Sequence, residues 1–109
     1  MPGIWHSPIM QIEFNAPLWE WNGDKASWSF VSLTPEAAAE VRFALGGMPR
    51  RGFGSVKVEV TIGPQTWLTS LFPDKASGSF LLPVKKAVRT ACKLSTGDSA
   101  HVRIRLVDL

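Results

Sequence analysis

The residues best suited to chemistry cluster late in the chain. Lys85, Lys86, Arg89 and Lys93 recur within nine residues. On a helix, at about 100° per residue, they share the face opposite Val84, Ala87, Val88, Ala91 and Leu94. Such a stripe can contact phosphates, with an affinity that depends on salt and not on base sequence. Arg103 and Arg105 can extend it, and Arg50-Arg51 offers a second anion contact. The competing reading is a solvated helix face, because no base-reading motif accompanies the cations. Five tryptophans add a second feature. Trp19 and Trp21 share a strand face if residues 18–21 are extended, and exposed indoles can stack on a base, a sugar or another aromatic ligand. The competing reading places them in a barrel core or as a plug at one barrel end. Trp28 and Trp67 are assigned to packing.

Other chemistries find little support. His6 and His101 are far apart in sequence and neither stands at metal-ligand spacing. Cys92 is the single cysteine, so no intrachain disulfide forms and no zinc motif exists. A nucleophile needs a base and an orienting group, and Cys92 has no local signature of that kind. It is placed at the edge of a helix's buried face, where free cysteines commonly pack. Gly52-Phe53-Gly54 lacks the Gly-Lys-Ser/Thr of a phosphate-binding loop and the strand-before-helix context of a dinucleotide fingerprint. No cofactor is implied.

The chain has 109 residues, 45% hydrophobic and 19% charged, with a net charge of +3. One globular domain with a real core fits that length, and the composition excludes disorder. Charge is uneven: residues 1–24 hold Glu13, Glu20 and Asp24 with no Lys or Arg, whereas residues 84–105 hold six cations against Asp98 alone. No positive n-region precedes an apolar run and no segment is long enough to span a bilayer, so the expected location is the cytoplasm.

The elements that must position these residues read mainly as β. Residues 1–8 form a loose leader and 9–109 a single domain. Met10, Ile12 and Phe14 alternate with polar residues, and Pro17 ends that strand. Leu18–Trp21 is a short second strand before the turn Asn22-Gly23-Asp24, and Ser27–Leu33 the next. Thr34-Pro35-Glu36 starts a helix by capping, N1 proline and acidic first turn, and Gly46-Gly47 ends it. Ser55–Ile62 is the clearest strand, with Val56, Val58, Val60 and Ile62 on one side. Gly63-Pro64 turns into Gln65–Phe72, and Gly78–Leu82 follows. Pro83 starts a second helix to about Leu94, by its apolar period. Ala100–Val107 closes the chain, with His101, Arg103 and Arg105 outward. The pattern strand, Pro, helix, turn, strand occurs twice. Two such units can close a pseudo-twofold barrel of about six or seven strands without free edges.

Several stretches together resemble the family catalogued as domain of unknown function 1905. They are Gly52–Gly63, Trp67–Pro73, Leu81–Arg89 and Gly97-Asp98, with Phe14, Trp28 and Leu33-Thr34-Pro35 also in keeping. The likeness spans about residues 9–108; the leader and the loop Gly46–Arg51 depart from the family's common core. It implies a small closed bacterial β-barrel and no established activity, so no catalytic residue is carried over. Leu82–Val107 also resembles the half-barrel of swapped-hairpin transcription regulators, which need a dimer to complete what this chain holds by itself.

The expectation is therefore a non-enzymatic binding module whose basic helix face takes an anionic ligand or nucleic acid. The alternative is a small enzyme or accessory domain with a pocket at a barrel end near Trp67, Ser70 and Arg50. A homo-oligomer built through a barrel face is a third reading, and no membrane contact is expected.

Overall fold

The structure is a computed structural model that describes residues 11–46 and 54–107. Arg50, Arg51, His6 and the leader lie outside the described residues. Six strands and two helices follow in the order β1 (Gln11–Asn22), β2 (Ser27–Ser32), α1 (Pro35–Leu45), β3 (Val56–Ile62), β4 (Gln65–Asp74), β5 (Ser79–Pro83), α2 (Lys86–Cys92) and β6 (Ser99–Leu106). The strands close into an antiparallel barrel in the order β1-β2-β5-β4-β3-β6. Moving β1 to β4, β2 to β5 and β3 to β6, and back, leaves every neighbour relation unchanged. This is the pseudo-twofold connectivity that the repeated strand-helix-strand pattern anticipates.

Alternation fills the interior. Ile12, Phe14, Ala16 and Leu18 of β1, Val56, Val58, Val60 and Ile62 of β3, and Ala100, Val102, Ile104 and Leu106 of β6 are all buried. Their intervening partners face water or are half-exposed. A barrel of this size is filled by side chains. Ser29 is the one buried polar residue among those described.

The helices close opposite ends, because β2 and β5, which lead into them, run antiparallel. At α1, Thr34 Oγ1 accepts from the Ala37 N–H at 3.1 Å. Gly46 takes the left-handed conformation (φ 62°) at the other end. Ala37, Ala38, Val41 and Leu45 are buried against the barrel. No helix of the described residues is long and apolar enough to cross a membrane.

Two boundaries differ from the sequence-based expectation. Pro17 does not end a strand: β1 runs through it, paired with β6 over Gln11–Pro17 and with β2 over Leu18–Asn22. A residue without an N–H is tolerated at the point where one ladder stops. Pro83 does not start α2. Val84 is buried and its N–H donates to the Ser29 carbonyl at 2.9 Å, so the extended chain persists to Lys85 and the helix begins at Lys86. Core burial of one valine outweighs the preference of proline for a first helical turn.

Candidate binding surface

The site is built on the hairpin of β1 and β2, which reaches past the end of the barrel. The turn is held by the Gly23 N–H donating to the Ala26 carbonyl at 2.8 Å. Leu18 and Val31 point inward and are opposite each other. Alternation then sends Trp19, Trp21, Trp28 and Phe30 to the outer face. Trp19 faces Phe30 and Trp21 faces Trp28 across the strands.

The two aromatic rungs differ. Trp19 is half-buried; its Nε1–H donates to Ser32 Oγ at 2.9 Å, and its ring lies 5.2 Å from Phe30 at 36°. Trp21 and Trp28 are 52% and 55% exposed, so both have ring surface open to a ligand. The Trp21 ring lies across Gly23: a Cβ there would stand 2.5 Å from it. The expected shared face of Trp19 and Trp21 is present, and it lies outside the barrel. Trp28 corrects the expectation of packing. Its alternation with Val31 placed it outward, a signal that the aromatic content of the strand concealed.

Strand β5 brings the cations to this hairpin. Phe30 pairs with Pro83, and the bond from Val84 to Ser29 continues the ladder. Lys85 remains extended (φ −69°, ψ 157°), so the same register puts it opposite Trp28. Lys86 follows at the start of α2 and is exposed. Arg89 is half-buried, and its Nη1 donates to the Val84 carbonyl at 3.0 Å, which folds its guanidinium back toward the same edge. Lys93 stands at the far end of α2 in the left-handed conformation (φ 55°).

The four cations therefore do not form the expected single stripe. Lys85 precedes the helix, Lys93 follows it, and Arg89 lies next to buried Val88. Ala87 and Ala91, expected on the buried face, are exposed, because the helix is only seven residues long and turns Val88 and Cys92 to the barrel. Arg103 and Arg105 are outward on β6, but each has a carboxylate partner: Arg103 Nε meets Glu13 at 3.2 Å and Arg105 Nη2 meets Glu59 at 2.9 Å.

Among the described residues, Cys92 and His101 are not brought together; His6 lies outside them. Cys92 Sγ donates to the Ile62 carbonyl at 3.2 Å, and desolvation raises its pKa above the usual thiol value. His101 faces out, with Nδ1 3.0 Å from Asn15 Oδ1 and Nε2 3.4 Å from Glu13. Trp67 faces inward against the core, with its Nε1 buried and unpartnered. Ser70, opposite Lys57, belongs to the outer face of β4, the side away from Trp67, and Arg50 lies outside the described residues. Among the described residues no three His, Cys, Asp or Glu side chains converge as a metal site would require.

Residues 14–104 match the sequence pattern of the family described as Domain of unknown function (DUF1905). The chain belongs to this family. The DUF1905 match covers both tryptophan rungs and the whole of α2, so the candidate surface is part of the matched domain. No curated protein matches the chain.

Proposed function

We propose that this DUF1905 domain is a non-enzymatic binding module for an anionic ligand that carries a flat ring. The observation that carries this reading is the exposed Trp21–Trp28 pair, with Lys85 brought beside it when the β2–β5 register is continued past Pro83 and the Val84–Ser29 bond. An indole face supplies stacking, and an adjacent ammonium supplies attraction for phosphate or carboxylate. Neither tryptophan is used to fill the barrel, whose interior holds aliphatic side chains with Phe14 and Phe80, and Trp67 packed against them. Among the described residues the enzymatic alternative has less to build on: Cys92 and His101 are each bonded elsewhere. Cytoplasmic location remains part of this proposal, in keeping with a nucleotide-like ligand.

Titration of tryptophan fluorescence with nucleotides, oligonucleotides and ring-free polyanions tests the reading. Quenching by ring-bearing anions that is lost in Trp28→Ala supports it. Equal response to ring-free polyphosphate, or no response to any ring-bearing anion, sinks it.

A further inference from the structure

We infer that the ligand of this surface is single-stranded nucleic acid, bound with little regard to sequence; the inference rests on the binding-module reading above. Among the described residues the rung forms an outward ridge: Trp21 and Trp28 face each other on the outer side of the hairpin, each about half exposed. The two described cavities lie elsewhere on the barrel, one lined by residues that include Lys57 and Val107, the other by residues that include Gln11 and Arg105. Small ligands are held in concave sites that cover most of their surface. A ridge gains affinity from a polymer instead, because successive bases and phosphates each add a modest contact.

The arrangement also selects for unpaired bases. In a duplex both faces of each interior base are covered by its neighbours, so the rings of Trp21 and Trp28 have nothing to stack on. Lys85, Lys86 and Arg89 supply three cations at the edge, and Lys93 follows the far end of α2, about 10 Å along the axis from Lys86 at 1.5 Å per residue. The acidic Glu20 does not oppose phosphates on the ridge, because it alternates with Trp19 and Trp21 and so faces the other side of the hairpin.

Sequence tolerance follows from the donors and acceptors. The Trp19 Nε1–H is occupied by Ser32, and the exposed rung offers ring faces more than hydrogen-bonding groups. Stacking of this kind accepts any base. Ring stacking and ammonium–phosphate attraction do not distinguish ribose from deoxyribose, so RNA and DNA are expected to bind alike.

Fluorescence anisotropy tests this with labelled oligo-dT and oligo-U of about ten nucleotides, a typical site length, a duplex of the same length, and dTMP as competitor. Both single strands are expected to bind at least about tenfold more tightly than the duplex or dTMP, and Trp28→Ala to weaken them by about tenfold. With three cations engaged, log affinity should fall with log salt at a slope of about −2, and Lys85→Gln/Lys86→Gln should bring this to about −0.7. Lys75→Gln, in the β4–β5 turn at the other end of the barrel, should change nothing. Equal binding of dTMP overturns the single-strand inference while leaving the binding-module reading in place; equal binding of duplex, whose rings are covered, overturns both. No binding of any probe overturns both. Unchanged oligonucleotide affinity in Trp28→Ala, with the variant folded by circular dichroism, also overturns the inference.

Discussion

Replacing Lys93 by glycine should stabilise the domain. Lys93 is the only described non-glycine residue with positive φ (φ 55°, ψ 44°). It closes α2 through two bonds, its own N–H to the Thr90 carbonyl at 3.2 Å and the Leu94 N–H to the Arg89 carbonyl at 2.8 Å. This is the helix end that glycine usually occupies. A residue with a Cβ is disfavoured there by about 1–2 kcal/mol, whereas glycine loses about 0.5–1 kcal/mol more entropy on folding. The net gain expected is about 0.5–1 kcal/mol. At about 2.1 cal/mol/K of unfolding entropy per residue, a chain of this length moves about 4 °C per kcal/mol, so Tm should rise by about 2–4 °C. Thermal unfolding followed by circular dichroism reads this directly. Lys93→Ala is the control: it removes the same charge but keeps the Cβ, so it should not raise Tm. A Tm at or below the parent in Lys93→Gly would refute the backbone argument, and an equal rise in Lys93→Ala would assign the effect to charge.

Two further predictions concern the tryptophan rung and the thiol. Gly23→Ala should push the Trp21 ring aside, because the new Cβ would fall 2.5 Å from it; the expected result is a shifted tryptophan emission with a stability change below about 1 kcal/mol, and an unchanged spectrum would show that the ring does not rest there. Cys92 should react with a neutral alkylating reagent at pH 8 several-fold more slowly in the folded protein than in urea, since burial raises its pKa and the thiolate is the nucleophile. The sign for stability follows: folding favours the protonated thiol, so this contribution is intact below the ordinary thiol pKa and is lost as pH rises through the range between the unfolded and folded values. Equal labelling rates in both states would contradict it.

What the sequence determined by itself was local and periodic. Alternation in Val56–Ile62 and Val102–Leu106 set which side chains fill the barrel, and the burial of every one of those valines, isoleucines and leucines follows. Thr34, Pro35 and Gly46 marked α1 because capping depends on neighbours within one turn. The repeated strand-helix-strand pattern carried the closed topology, and the family resemblance agreed with it. The tertiary structure decided whatever depended on pairing between distant segments. Pro17 and Pro83 looked like boundaries, yet the ladder to β2 and the buried Val84 carry the chain past both. Arg89 looked like one member of an exposed stripe, yet the Val84 carbonyl draws it back to the strand edge. Arg103 and Arg105 found carboxylates from β1 and β3, strands far away in sequence. The meeting of Trp28 with Trp21 and Lys85 required two registers at once, β1 with β2 and β2 with β5. Periodicity tells each strand which side is which, but it cannot tell which strand lies alongside, and the candidate surface exists only because those three strands are neighbours.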